Sequence, residues 1–76
     1  MEIRQLKYFI SVADHKSMSQ AASALFISQP SVSQQISALE KELGRPLFER
    51  HTDGVRLTAA GHKLFPYALR ILQQIR

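Results

Sequence analysis

The chain has 76 residues, no cysteine and a hydrophobic fraction of 45%, which is the composition of one small globular domain. This composition excludes disulfide bonds and thiolate metal sites, and no apolar run reaches the roughly 18 residues that a membrane-spanning helix needs. Ten Lys and Arg residues against six Asp and Glu residues give a formal net charge of +4, which favours a polyanionic partner without identifying one.

The first two predicted helices lie in the N-terminal third of the chain. In the first, the residues that recur at helical spacing and should face the core are Leu6, Phe9, Ile10 and Ala13. Ser17 and Gln20 then form a capping-box pattern, which predicts the start of a second, short helix. The residues of the second helix expected to face inward are Ala21, Ala22 and Leu25.

An apolar corner at Phe26 and Ile27 separates the second helix from a third. Ser28 is expected to cap the third helix, and Pro30 is tolerated in its first turn. Its predicted core stripe consists of Val32, Ile36, Leu39 and Leu43. Gly44 and Pro46 are the expected end signals of this helix.

A hairpin and a fourth helix complete the predicted order. Residues 47–50 and 55–57 have the pattern of two short strands, and Asp53 and Gly54 have the pattern of the turn between them. Thr58 is expected to cap a helix that runs to the end of the chain, with a kink near Pro66. This order predicts a mainly α fold, a winged helix-turn-helix with a small two-stranded β wing.

The N-terminal part of the third helix is polar but uncharged. Between Ser28 and Ser37, four serines and three glutamines occupy seven of ten positions. With the core stripe inward, helical geometry turns Pro30, Gln34, Ser37 and Lys41 outward, with Ser31 and Ser33 beside them. An ordinary exposed helix face uses Lys, Glu, Arg and Ala instead. Short hydroxyls and amides suit a surface that approaches base edges and phosphates closely.

Phosphate contacts are expected at the edges of this neutral zone. The helix N-termini near Ser17 and Ser28 offer backbone N–H groups that can bind phosphate. Arg50 and Arg56 flank the tip of the predicted hairpin. The pattern indicates that charges hold the DNA backbone while neutral polar groups contact the bases. The alternatives that stay open are a merely polar helix end and plain solvated charges.

Other functional classes have less support. The three histidines are not at metal-ligand spacing, and the chain has neither a nucleophile-elbow motif nor a glycine-rich phosphate loop. We therefore expect no enzyme, no cofactor and no metal. The main rival is a helical module whose third helix binds protein. An RNA-binding role is weaker, because the phenylalanines all lie in apolar, core-like contexts: Phe9, Phe26, Phe48 and Phe65.

Six stretches, at residues 17–25, 28–36, 39–40, 43–44, 47–50 and 57–61, resemble the signature of LysR-type bacterial transcription regulators. The resemblance covers essentially the whole chain. It implies that the third helix enters the major groove of double-stranded DNA, that the wing reaches toward the minor groove, and that the fourth, linker helix pairs two subunits. It further implies a homodimer or higher homo-oligomer on a dyad-symmetric site, in the cytoplasm on the nucleoid. A small-molecule effector would bind only to a C-terminal domain that is absent here.

The resemblance also assigns roles to residues. The expected base contacts are Gln29, Pro30, Ser31, Ser33 and Gln34. The expected contacts to the DNA backbone are Ser17, Ser37, Arg50 and Arg56. Two departures from the family pattern matter: Asp53 occupies the wing tip where an arginine is common, and Gln34 stands where a basic residue is common. We therefore expect weaker insertion of the wing and a weaker dependence of binding on salt.

The predicted domain division places the winged helix-turn-helix at residues 1–58, with the helix-turn-helix at about 18–37 and the wing at about 47–57. The linker helix at 59–76 is expected to be truncated, because its helical pattern still runs at the last residue. One of its apolar stripes, with Leu64, Ala68, Ile71 and Ile75, is expected to close the core. The adjacent stripe of Phe65, Leu69 and Leu72 is expected to form the dimer contact. Alternatively, both stripes form one wide intramolecular face.

Overall fold

The structure, a computed structural model, describes residues 1–75. Its elements in chain order are α1 (Ile3–His15), α2 (Met18–Leu25), α3 (Gln29–Leu43), β1 (Phe48–His51), β2 (Gly54–Leu57) and α4 (Ala59–Gln73). The two strands pair antiparallel, with Phe48 opposite Leu57 and His51 opposite Gly54. The predicted mainly α winged helix-turn-helix is confirmed, and the hairpin of β1 and β2 is its wing.

α1 is the central element, since it packs against all three other helices and against β2. Phe9 is fully buried, with its ring centroid 5.4 Å from that of Phe48 and 6.3 Å from that of Phe65. These aromatic contacts join α1 to the wing and to α4 in a single core. The other buried apolar residues are Leu6, Val12, Met18, Ala21, Ala22, Val32, Ile36, Leu39, Leu47, Val55 and Ala68.

The helix ends follow the signals in the sequence. At three helix starts a side-chain hydroxyl accepts a hydrogen bond from a backbone N–H three residues later: Ser17 from Gln20 at 3.1 Å, Ser28 from Ser31 at 3.2 Å, and Thr58 from Gly61 at 3.1 Å. Such a cap stabilises a helix by about 1 kcal/mol. α3 ends at Gly44, which adopts the left-handed conformation with φ 72°.

Phe26 contradicts the prediction of a core-like context, because 95% of the residue is exposed. It is the C-cap of α2 and has φ 60°, a left-handed conformation that is unusual for a residue with a side chain. This conformation turns the backbone sharply, so that Leu25 and Ile27 pack against the core while the ring between them points into solvent. Of the predicted apolar corner, therefore, Ile27 packs against the core and Phe26 does not.

Two further expectations about apolar residues and helix ends are corrected. Leu43 is expected in the core stripe of α3 but is 41% exposed on its last turn, where it lines an open groove beside α4. α4 continues through Pro66 but ends at Gln73 rather than running on. At its end, the N–H groups of Gln74 and Ile75 bond to carbonyls only three residues back, as the final turn tightens. Arg76, the last residue of the predicted linker helix, lies outside the described residues.

Candidate nucleic-acid interface

The five predicted base-contact residues lie together on the first half of α3. Val32, Ile36 and Leu39 are buried against the core and fix which side of α3 faces solvent. The opposite side is exposed at Gln29, Pro30, Ser31 and Gln34, and Ser33 is half-buried at its edge. The N-cap hydroxyl of Ser28 lies 2.8 Å from that of Ser31, which orders the start of this surface. We call these five residues the Ser/Gln surface.

A polar groove of about 240 Å³ adjoins this surface. It lies between the start of α2, the start of α3 and the wing, and the polar residues along it are Ser17, Ser19, Gln29, Arg50, His51 and Thr52. The first backbone N–H groups of α2 have no partner within the helix and carry partial positive charge. The groove can therefore hold an anion beside the Ser/Gln surface.

The pairing of the strands explains why Arg50 lines this groove. Arg50 lies opposite Val55 in the hairpin, and directly opposed residues share one face of a sheet. Val55 is buried against the helices, so the Arg50 side chain leaves the strand on the helix side with its end exposed. Arg50 and Ser17, two of the predicted backbone contacts, are thus brought together with the base-contact residue Gln29.

The other two predicted backbone contacts lie elsewhere. Arg56 is opposite Glu49 on the outer face of the wing, and its Nη2 atom lies 3.6 Å from Oδ2 of Asp53. Ser37 lines a shallow depression at the far half of α3, with Lys41 and Arg45. Neither residue joins the polar groove.

Sequence reasoning missed Ser19, His51 and Thr52 as groove residues. Ser19 lines the same groove as Gln29 because α2 packs against α3, and no local sequence pattern indicates this. His51 and Thr52 directly follow Arg50 at the hairpin tip. Their position next to a predicted phosphate contact was the available signal.

The wing is fixed to the helices at both ends. At its base, Oε2 of Glu40 accepts hydrogen bonds from the backbone N–H groups of Leu47 at 2.6 Å and Phe48 at 3.3 Å. Near its tip, the N–H of Val55 donates to the carbonyl oxygen of Lys16 at 3.0 Å. A charge-assisted bond at one end and a backbone bond at the other hold Arg50 in place relative to α2 and α3.

α4 has both a core face and an exposed apolar face. Phe65 and Leu72, predicted dimer contacts, pack against the domain's own core, whereas Leu69 is exposed. Tyr67 and Ile71, on the opposite flank of α4, are also exposed. An apolar groove of about 280 Å³ lies beside them, lined by Leu43, Leu47, Ala60, Leu64 and Tyr67, with Arg45 and Lys63 at its edge.

Within residues 1–75, no three His, Cys, Asp or Glu side chains are grouped so that they could hold a metal ion. In the same part of the chain, no helix combines the length and the apolar character required to cross a bilayer.

Comparisons with known proteins place the chain among bacterial regulators. It is 53% identical over 72 residues to the HTH-type transcriptional regulator BudR of Klebsiella aerogenes, which covers 95% of this chain and 50% of BudR. It is 52% identical over 73 residues to the regulator TcbR of Pseudomonas sp. strain P51, which covers 96% of this chain and 25% of TcbR. The chain thus spans between a quarter and a half of the length of these relatives.

Two solved structures of similar proteins contain DNA. The crystal structure of the CbnR_DBD–DNA complex matches with a TM-score of 0.93 and 52% identity, covering 96% of this chain and 84% of that one. The BenM_DBD/catB site 1 DNA complex matches with a TM-score of 0.92 and 44% identity, covering 96% and 82%. The family described as "Bacterial regulatory helix-turn-helix protein, lysR family" matches residues 3–62. The chain therefore belongs to the lysR family of bacterial regulatory helix-turn-helix proteins and has the fold of its DNA-binding domain.

Proposed function

We propose that the chain binds double-stranded DNA in a sequence-specific manner, with the N-terminal half of α3 in the major groove. The observation that carries this proposal is the adjacency of an exposed, uncharged Ser/Gln surface and a groove that presents Arg50 and the start of α2. Structures of CbnR and BenM domains with DNA, at 52% and 44% identity, support it.

The proposed contacts fall into two classes. Gln29, Pro30, Ser31, Ser33 and Gln34 face base edges, where a glutamine amide pairs bidentately with adenine and a serine hydroxyl bonds to several bases. Arg50 and Ser17 hold phosphates in the groove, which fixes the position of α3 along the duplex. Ser37 and Arg56 lie outside the groove and are proposed to contact phosphates further along the backbone.

The chain is proposed to act as a homodimer. In this proposal residues 1–58 are the winged helix-turn-helix, and the linker helix is α4 (Ala59–Gln73) within the predicted segment 59–76. Phe65 and Leu72 pack partly against the domain's own core, so the proposed contact with a second copy is the exposed Leu69 together with the exposed sides of Phe65 and Leu72. Two copies related by a twofold axis bind half-sites spaced by about one turn of DNA or a multiple of it.

The remaining parts of the proposal concern the whole protein. It acts as a transcription regulator in the cytoplasm, on the nucleoid, and catalyses no reaction. Its small-molecule effector binds outside this chain. The support is the regulator names of its relatives.

The test is a selection of bound sequences from a random duplex pool, together with a dissociation constant for random duplex at low salt. We expect a micromolar or lower Kd for random duplex and enrichment of an interrupted palindrome. A protein-binding module would bind random duplex far more weakly than this. Binding without any enriched sequence would contradict the proposed specificity.

A further inference from the structure

Gln5, in the first turn of α1, is the buried polar residue among residues 1–75, with 7% of it exposed. Its neighbours in the buried set are apolar. Its side-chain oxygen accepts a hydrogen bond from the N–H of Glu2 at 3.0 Å, and its Nε2 donates to Oε1 of Gln35 in α3 at 3.3 Å. We propose that Gln5 is a positioning residue that sets the orientation of α3, and through it the base preference of the Ser/Gln surface.

The hydrogen bond between Gln5 and Gln35 lies directly beside the Ser/Gln surface. Gln35 is half-buried and directly follows Gln34, which is exposed on the Ser/Gln surface. A hydrogen bond at Gln35 therefore restrains the rotation of α3 about its axis and its axial position at Gln34, the residue proposed to face the bases. This inference rests on the proposed function, because it concerns how the proposed DNA surface is held.

The apolar contacts of α3 do not supply the same restraint. Val32, Ile36 and Leu39 pack through non-directional forces, which tolerate small sliding and rotation of the helix. A hydrogen bond depends steeply on distance and angle. The pair between Gln5 and Gln35 thus selects one arrangement of α3 among several that bury the same apolar side chains.

The capping box at the start of α1 accounts for the side-chain oxygen of Gln5, but it does not account for the bond from Nε2 to α3. A hydrogen bond between neutral groups adds little net stability, because both groups are solvated in the unfolded chain. A leucine of similar volume at position 5 fills the core but removes the capping-box bond from the N–H of Glu2 as well as the bond to Gln35, so Gln35→Leu is the variant that removes the second bond alone. The bond to Gln35 is better explained by directionality, since a hydrogen bond from a buried side chain of α1 to a half-buried one of α3 favours one relative arrangement of the two helices.

The test uses Gln5→Leu, Gln35→Leu and the double variant, with Ile10→Ala as a control that loosens α1 without touching the pair. For each, one measures the Kd for the selected site and for random duplex, and the angle between α1 and α3 in the free chain from residual dipolar couplings. We expect either single variant to reduce the ratio of the affinity for the selected site to the affinity for random duplex by about tenfold, comparable to one lost base contact. The double variant should reduce this ratio no more than either single variant does, and Ile10→Ala should leave the ratio unchanged.

The outcomes separate this inference from the proposed function. An unchanged affinity ratio in both single variants, or losses that multiply in the double variant, overturns the positioning role. If Gln5→Leu fails to fold, Gln35→Leu decides, because Gln35 is half-exposed. If the unsubstituted chain shows no sequence preference, the proposed function fails. The angle between the helices then decides the positioning role: a changed angle in the variants supports it, and an unchanged angle overturns it.

Discussion

The carboxylate of Asp53 lies 3.6 Å from the guanidinium of Arg56, so the wing pairs its outer arginine with its own tip. Glu49 stands opposite Arg56 on the same face of the hairpin. The ion pair of Arg56 with Asp53, and a second carboxylate on the same face of the hairpin, leave the outer face of the wing with little net attraction for phosphate. Arg50, on the inner face, is paired across the hairpin with Val55 and not with a carboxylate, and it lines the polar groove. The wing is therefore expected to hold DNA mainly from its inner face.

Replacing the acidic wing tip should strengthen binding to DNA. In Asp53→Asn, Arg56 loses its ion pair and the tip loses a charge that repels phosphate. We expect the Kd for random duplex to fall several-fold at low salt, and the slope of log K against log salt to steepen by up to about 0.9, the value for one phosphate contact. Titration by fluorescence anisotropy at several salt concentrations measures both.

Glu2→Gln is the matched control, because Glu2 also forms an exposed ion pair, with Arg4 at 3.2 Å, and its loss changes the net charge equally. Equal gains in the two variants would show that net charge alone is responsible.

A cation in the middle of the Ser/Gln surface should change the salt dependence of binding. In Gln34→Arg, a guanidinium enters the proposed major-groove face, and we expect a slope steeper by about 0.9. Gln73→Arg makes the same chemical change at the exposed end of α4. The same slope in Gln34→Arg and the unsubstituted chain would mean that position 34 lies away from the DNA.

Relieving the backbone strain at Phe26 should stabilise the fold. A left-handed conformation costs a residue with a Cβ about 1 kcal/mol, and the exposed ring has little packing to lose. Phe26→Gly is therefore expected to raise the melting temperature by about 4–8 °C, measured by circular dichroism.

Phe26→Ala removes the ring but keeps the strain, so its melting temperature should stay near that of the unsubstituted chain. A loss of stability in both variants would indicate that the ring makes a stabilising contact.

The wing depends on a glycine at its tip. A Cβ at Gly54 would lie 2.2 Å from the carbonyl oxygen of Lys16, and φ there is 138°. Gly54→Ala must push the wing away and break the bond from Val55 to Lys16, so we expect a loss of about 2–4 kcal/mol in unfolding free energy.

Gly44→Ala serves as the comparison in the same denaturant titration. It also has a left-handed φ, of 72°, but a Cβ there meets no atom within 4 Å. It should cost only about 1 kcal/mol. Equal losses for the two glycines would contradict the proposed clash.

Much of the fold was predictable because its signals are local. Ser28, Thr58 and Gly44 cap helices through bonds to residues three or four positions away, and a helical period indicates which residues face the core. The Ser/Gln surface followed from the same period, since burial of Val32, Ile36 and Leu39 determines which side of α3 is exposed.

What the sequence did not predict depends on contacts between distant segments. Phe26 stands between Leu25 and Ile27, and only the backbone conformation at the end of α2 decides which of the three is exposed. Gln5 precedes Phe9 by four residues on the same face of α1, which was a usable signal of burial. Its partner Gln35 is 30 positions away and was not predictable. The two stripes of α4 likewise could not be assigned before the position of α1 was known.

The central claim is that the uncharged Ser/Gln surface of α3 contacts the bases. The most direct measurement is a parallel selection from a random duplex pool with the unsubstituted chain and with Gln34→Ala. We predict that both enrich the same interrupted palindrome, but that the variant loses the preference for one base, an adenine, in each half-site. Affinity for the selected site should fall by a factor that corresponds to about 1–3 kcal/mol for each lost contact. Identical base preferences at every position in the two selections would contradict the claim.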